Sequence, residues 1–313
     1  MVVLSLFDGM SCGQIALRKI GIKVDKYLAS EVDKYAIKVT QKNYPDTIQI
    51  GSIVNIRYKD GILYTENGNY DVGKIDIIMG GSPCQDLSFA GSMSGLKSPD
   101  LDTYLKLKEQ GFDFKGQSYL FWEYLRLLRE VNPTYFLLEN VRMTKHWKNV
   151  ISENLCVEAI EIDSRYFTAQ KRKRLYWTNI KVDNYKDKNI LLKDIMLDEN
   201  SPLLEIKHPS EKRIEYIKRK IEKGWLKKIY NDESTEKSEC LLASMYKQLQ
   251  EFIWKPVNGN LRFFSVIEFE RLQTVPDNYT EGVSNTQRLK MLGNGWTVDV
   301  IAHIFKNLNK NEV

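Results

Sequence analysis

In the first 140 residues, short apolar runs alternate with amphipathic stretches, and each run stops at a polar turn. Val2-Val3-Leu4-Ser5-Leu6 has the character of a buried strand. A glycine-bearing turn follows, and Ile15, Leu17 and Ile20 then mark a short helix ended by Gly21. Tyr27-Leu28-Ala29 reads as a second strand with a helix starting from Asp33, and Ile75-Asp76-Ile77-Ile78-Met79 as a third strand ending in Gly80-Gly81. Phe121, Tyr124, Leu125 and Leu128 fall at helical spacing before the strand Tyr135-Phe136-Leu137-Leu138, which stops at Glu139-Asn140. Strands alternating with helices predict an α/β fold with a parallel, doubly wound sheet. Ligands of such sheets bind beyond the carboxyl ends of the strands. The turns at 8–13, Glu31, 80–84 and 139–140 all fall at such ends.

From about residue 182 to 255 this alternation is lost. Residues 207–228 hold nine Lys or Arg against three Glu, interleaved with Ile214, Ile217, Ile221 and Leu226, which predicts a basic amphipathic helix. The α/β character returns at Phe263. A chain of 313 residues has room for two domains or one with an insertion. The expected division is a core of residues 1–181 completed by 258–313, with a small insert at 182–257. With 42% hydrophobic residues a sizeable core is expected, and a net charge of +5 permits a polyanionic partner without requiring one. Cys12, Cys84, Cys156 and Cys240 stand far apart with no C-x-x-C pair, which excludes a zinc ribbon and a dense disulfide framework; no metal is expected. No apolar run approaches the ~18 residues of a membrane span. The expectation is a cytoplasmic protein with no membrane partner.

Four segments carry chemistry. Phe7-Asp8-Gly9-Met10-Ser11-Cys12-Gly13 lets backbone N–H groups approach a ligand, and Glu31 follows at an offset common for an acid that holds ribose hydroxyls. The spacing departs from G-x-G-x-x-G and so argues against a nicotinamide dehydrogenase. In Gly80-Gly81-Ser82-Pro83-Cys84, directly after a strand, Pro83 stiffens a turn that presents Cys84 at the sheet edge, where a nucleophile can meet substrate. Glu139 at a strand end can serve as an acid. Gln170-Lys171-Arg172-Lys173-Arg174, read as a strand, points Gln170, Arg172 and Arg174 to one face, suited to a phosphate or carbonyl oxygen.

Taken in order, these segments resemble the DNA cytosine-5 methyltransferases of bacterial or phage type. Phe7 to Gly13 resembles the first cofactor motif, Ser82-Pro83-Cys84-Gln85 the signature around the nucleophile, and Glu139-Asn140-Val141 the second catalytic motif. Gln170-x-Arg172-x-Arg174 matches the Q-x-R-x-R strand. Arg271-Leu272-Gln273 resembles a bracing motif, and Gly293-Asn294-Gly295-Trp296 the last motif. The resemblance implies a Rossmann-like methyltransferase sheet with a small target-recognition insert. It implies Cys84 as nucleophile on cytosine C6, Glu139 at N3, Arg174 at O2 and Arg172 in support. The implied cofactor is S-adenosylmethionine, with S-adenosylhomocysteine as product. Its neighbours would be Phe7, Asp8, Gly9, Met10, Ser11, Cys12, Gly13, Glu31, Val32, Ser52, Ile53, Gly81, Pro83, Leu120, Asn294, Trp296 and Thr297. The implied substrate is a flipped-out cytosine in double-stranded DNA.

One departure stands out. Gly51-Ser52-Ile53 lies where the family has glycine, an acid and an apolar residue, and that acid contacts the adenine amino group. Ser52 brings a hydroxyl without charge. In the insert, the basic helix is expected to track phosphates, and Lys247, Gln248 and Gln250 are candidates to read bases. The chain is expected to act as a monomer, with a cognate restriction endonuclease as a possible separate partner. Two alternatives are a transfer-RNA cytosine-5 methyltransferase, whose Cys-Phe-Thr segment is missing here, and a catalytically silent DNA-binding protein.

Overall fold

A computed structural model of the chain describes residues 1–83, 98–224, 229–231, 236–247, 252–256 and 259–308. Two compact units emerge: residues 1–162, 173–183 and 301–313 form the first, and 163–172 with 184–300 the second. In this division residues 259–300 group with the second unit. Arg262 pairs with Glu199, Gln273 with Gln170, and Asp299 with Lys188.

The first unit is built on strands β1 (Val2–Leu6), β2 (Lys26–Ser30), β3 (Ile48–Gln49), β7 (Ile77–Gly81), β8 (Tyr135–Val141), β9 (Ile160–Asp163) and β10 (Lys173–Thr178). They lie in the order β3-β2-β1-β7-β8-β10-β9. Pairing is parallel from β3 through β8, and β10 runs antiparallel to β8. β1 has β2 on one side and β7 on the other, so the strand order reverses there. That is the switch point at which open α/β sheets bind ligands. Four of the five β1 residues are buried, as a strand covered on both faces requires. The helices are α1 (Cys12–Lys19), α2 (Lys34–Asn43), α3 (Leu101–Glu109), α4 (Leu120–Val131) and α5 (Lys145–Leu155). α4 packs Phe121, Trp122, Tyr124 and Leu125 into the core with Leu4, Leu6, Ile78 and Leu138. Burying such side chains contributes about 1.5–3 kcal/mol each. The expected α/β sheet is thus present, parallel apart from its far edge.

Between β3 and β7 the chain forms a second sheet that the sequence analysis did not anticipate. Strands β4 (Arg57–Lys59), β5 (Ile62–Thr65) and β6 (Gly68–Asp71) make an antiparallel meander. Its tight turns are Asp60-Gly61 and Glu66-Asn67, with Gly61 at φ +80° and Gly68 at +135°. Asp-Gly and Asn-Gly dipeptides are the ordinary signal for such hairpins.

The second unit carries α6 (Leu192–Ile195), α7 (Glu211–Glu222), a three-stranded sheet of β11 (Tyr230–Asn231), β12 (Ile253–Lys255) and β13 (Arg262–Phe263), then α8 (Val266–Leu272) and α9 (Asn285–Asn294). Helix α10 (Val298–Phe305) follows and crosses the unit boundary. The basic helix is shorter than its charge run. Ser210 caps it by accepting from Arg213 N at 3.3 Å, and Gly224 at φ +69° stands just past its end. Its buried side is narrow: Ile217 packs with Ile253, flanked by Ile221, Leu261 and Phe263. Leu226, Lys227 and Lys228 lie outside the described residues. The Arg262 guanidinium is fully buried and bonds both oxygens of the fully buried Glu268 carboxylate at 2.9 Å. Glu268 also closes a capping box with Ser265 that starts α8.

Candidate active site

At the end of β1 the turn adopts left-handed backbone at Phe7, Gly9 and Ser11 (φ +57°, +58° and +59°). Two of these are not glycine, and left-handed non-glycine residues persist only where surroundings hold them. Asp8 supplies the hold. Its carboxylate accepts from the hydroxyls of Ser5 (2.6 Å), Tyr27 (2.7 Å) and Ser11. The Asp8 side chain therefore points into the turn and braces it. Met10, Ser11 and Cys12 are buried, and Gly13 stands against Met79, whose sulfur would lie 2.5 Å from a Cβ placed there.

Removal from water pushes the Asp8 carboxyl up to about 6, with the nearby Glu31 charge adding and the three hydroxyl bonds opposing. A carboxyl raised from 3.8 to about 6 contributes up to about 3 kcal/mol of stability that is present below pH 4 and lost as pH rises through 6. Asp8→Asn stays neutral throughout. Its stability relative to the parent chain should therefore rise by up to that amount between pH 4 and 7. Urea unfolding at the two pH values checks it, and a constant difference contradicts it.

Glu31 ends β2. One oxygen accepts Val32 N (2.7 Å) and Asp33 N (2.8 Å), and the other accepts Gly9 N (2.7 Å). Three backbone amides thus hold an anionic acceptor beside a glycine turn, and its second oxygen keeps capacity for a further donor. Val32, next in sequence, is 74% exposed. One strand further out, Ser30 Oγ donates to Gly51 O at 2.8 Å, and Ile53 is buried at the start of a 3₁₀ turn (Ile53–Asn55). The donor set suits a vicinal diol at Glu31 and a flat ring near Phe7 and Ile53. These residues fit an adenosine-bearing cofactor.

The second group lies on neighbouring strands. β7 and β8 pair Gly81 with Glu139, and β8 and β10 pair Glu139 with Tyr176 and Val141 with Arg174. Arg174 Nε lies 3.2 Å from Glu139 Oε1, and Glu139 is 8% exposed. Asn140 Nδ2 donates to Ser82 O (3.2 Å) and Ser82 Oγ (3.1 Å) and fastens the chain that enters Pro83. Cys84 itself lies outside the described residues, as do Gln248 and Gln250 of the insert. Leu120 opens α4 at the edge of the same core.

The expected strand from Gln170 begins only at Lys173, so Gln170, Arg172 and Arg174 do not share a strand face. Gln170 and Arg172 belong to the second unit and Arg174 to the first. Arg172, 3% exposed, donates to the carbonyls of Leu241 (2.8 Å), Gly293 (3.1 Å) and Gly295 (2.9 Å). Gln273 joins it, donating to Leu292 O and Gly295 O and accepting from Gln170 and Thr297. Arg271 grips Asp277 through both nitrogens facing it. Arginine and glutamine thereby set the path of the 292–297 segment, on which Asn294 is exposed, Trp296 half-buried and Thr297 buried. Gly293 is required: a Cβ there would meet the Leu242 backbone at 2.4 Å. Among the described residues no group of side chains forms a metal site, and no helix is long and apolar enough to cross a membrane.

Comparison with known proteins bears on the family and the fold. The family model for C-5 cytosine-specific DNA methylases matches residues 1–208 and 183–310. The type II methyltransferase M1.ScrFI of Lactococcus lactis subsp. cremoris is 28% identical, over 98% of this chain and 77% of that protein. The orphan methyltransferase M.SPRI of Bacillus phage SPR is 30% identical over 65% of this chain, but only 44% of that protein is matched. Among solved structures, the Entamoeba histolytica methyltransferase EhMeth (TM-score 0.69) and the S. pombe Dnmt2 methyltransferase (TM-score 0.68) each cover 99% of this chain. Each spans 98% of its own chain in the match, and at 17% identity they establish the fold.

Proposed function

Because this chain belongs to the C-5 cytosine-specific DNA methylase family, we propose that it methylates C5 of a flipped-out cytosine in double-stranded DNA through a covalent bond from Cys84 to C6. The observation that supports this most is the Glu139–Arg174 pair across β8 and β10, with β8 lying directly beside β7, the strand that runs into Pro83.

Cytosine C5 is a weak nucleophile. The Cys84 thiolate adds to C6, and the new S–C6 bond pushes an electron pair toward C5. Glu139 protonates or hydrogen-bonds N3 as that charge develops, and Arg174 holds O2. When bound, S-adenosylmethionine supplies an electrophilic methyl group. The C5 pair would form the new C–CH3 bond as the S–CH3 electrons left with S-adenosylhomocysteine. A base would then take the C5 proton, and the C5–H electrons would re-form the C5–C6 double bond. The S–C6 electrons would return to the Cys84 sulfur, and N3 would return any proton to Glu139. The target base is stacked in a duplex, so it is turned out at a cost of a few kcal/mol. Arg172 acts as a positioning residue, since its donors hold the carbonyls at 241, 293 and 295. Glu31 takes ribose hydroxyls, and Phe7 and Ile53 flank the adenine. Gly9, Met10, Ser11, Cys12, Gly13, Val32, Gly81, Pro83 and Leu120 stay proposed neighbours of the cofactor, while Asn294, Trp296 and Thr297 rest on the motif match alone. On this reading the chain works as a monomer, and a cognate restriction endonuclease is a separate chain.

The test uses purified protein, methyl-labelled S-adenosylmethionine, unmethylated genomic DNA and base-resolution sequencing for 5-methylcytosine. Label at C5 within one recurring sequence is expected. Label entering only RNA, or none entering DNA while the cofactor binds, overturns the reading.

Helix α7 supplies the proposed phosphate contacts. Lys218 and Arg219 are exposed, and Lys220 and Arg213 lie 5.0 and 5.5 Å from the Tyr216 ring centroid. Replacing Lys218, Arg219 and Lys220 by Gln should reduce the slope of log K against log salt by two to three, at about 0.9 per phosphate contact. An unchanged slope in a titration by fluorescence anisotropy places the contacts elsewhere.

A further inference from the structure

The turn between β5 and β6 reaches back to the main sheet. Glu66 Oε1 accepts Ser52 N at 2.8 Å, and Glu66 Oε2 accepts Asn55 Nδ2 at 2.7 Å. Asn67 Nδ2 donates to Gln49 O at 3.0 Å and fastens the same turn to β3. Gly51 is shaped for this approach. Its φ is +76°, and a Cβ there would lie 2.0 Å from Glu66 Oε1, so only glycine admits the carboxylate. The position relative to the sheet is also fixed. β2 and β3 pair in parallel, Ala29 with Gln49, and the Ser30 hydroxyl ties to Gly51. Glu31 and the 51–53 segment are therefore ends of neighbouring strands. With the ribose at Glu31 and the adenine beside Ile53, as proposed above, the base lies next to Ser52.

We propose, on the reading of this chain as an S-adenosylmethionine-dependent enzyme, that Glu66 is its adenine-recognising acid, accepting the exocyclic amine and replacing the carboxylate that Ser52 lacks. The acid arrives from a hairpin turn fourteen residues beyond Ser52. Each carboxylate oxygen has about two acceptor positions, and the bonds to Ser52 and Asn55 use one on each. Those same two donors hold the Glu66 carboxyl below the usual range, so it stays anionic. An anionic acceptor matches an amine donor and repels a carbonyl oxygen. The site should thus distinguish 6-amino from 6-oxo purines.

The experiment is calorimetric titration of the full chain with S-adenosylhomocysteine and with its 6-oxo counterpart, S-inosylhomocysteine. Glu66→Ala should weaken the amino ligand roughly ten- to hundredfold, the range of a charge-assisted hydrogen bond, and bring the two ligands to within about threefold of each other. Ser52→Asp added to Glu66→Ala should restore both affinity and discrimination, because the acid then returns on the strand end itself. If Glu66→Ala weakens both ligands equally and Ser52→Asp rescues neither, Glu66 only locks the turn and the inference fails. If the parent chain binds neither ligand, the cofactor reading itself fails. Circular dichroism of each variant separates these outcomes from misfolding.

Discussion

Cys84→Ala should abolish methyl transfer, by at least about four orders of magnitude, and leave cofactor affinity within about twofold. The size follows from chemistry. Without a thiolate on C6, C5 never gains the electron pair that attacks a methyl group, and the remaining site can only bind. Cys84→Ser should be almost as inactive, since a hydroxyl is far less ionised than a thiol at neutral pH. A second readout needs no turnover. DNA carrying 5-fluorocytosine has no C5 proton to lose, so after methyl transfer the S–C6 bond stays closed. The parent chain should form a denaturant-stable complex with such DNA, and Cys84→Ala should form none. An adduct surviving in Cys84→Ala moves the nucleophile to another residue.

The part of this chemistry that could be read in the sequence is the part written in contiguous residues. Each polar turn at 8–13, 31, 80–84 and 139–140 follows an apolar run, and the sheet sets those runs side by side. Pairing across strands is long-range, so the contact between Glu139 and Arg174 had no local signal; only the ordered motifs suggested it. The Q-x-R-x-R segment misled for a physical reason. Alternation argues for a strand, yet buried arginine and glutamine can equally saturate backbone carbonyls, and Arg172 and Gln273 do so around Gly295. Asp8 shows the same limit: nothing in the spacing ties this acid to the hydroxyls of Ser5, Ser11 and Tyr27 that it accepts from. Glu66 left a fainter trace. Its Asn-Gly turn could have been read as a hairpin, but nothing in the spacing ties residue 66 to residue 52.

Glu139→Gln should slow methyl transfer by roughly 10²–10⁴-fold, about 3–5 kcal/mol of transition-state stabilisation, with DNA affinity changed by less than about threefold. Glutamine matches the shape and can still hydrogen-bond N3, but it cannot deliver a proton. The loss therefore belongs in the chemical step. Arg174 gives the discriminating comparison. Its Nε meets Glu139 Oε1 at 3.2 Å while its Nη1 donates to Lys173 O at 2.8 Å, so the guanidinium is held in one orientation by two partners. Arg174→Lys keeps the charge and loses that fork, and should retain more activity than Arg174→Ala but less than the parent chain. Single-turnover rates on a duplex containing the sequence found by methylation mapping resolve the three variants. If Glu139→Gln instead weakens DNA binding while single-turnover rates at saturation stay within threefold of the parent, Glu139 holds the base without taking part in the chemical step. The pair on β8 and β10 would then be a clamp and not the acid that the cytosine ring requires.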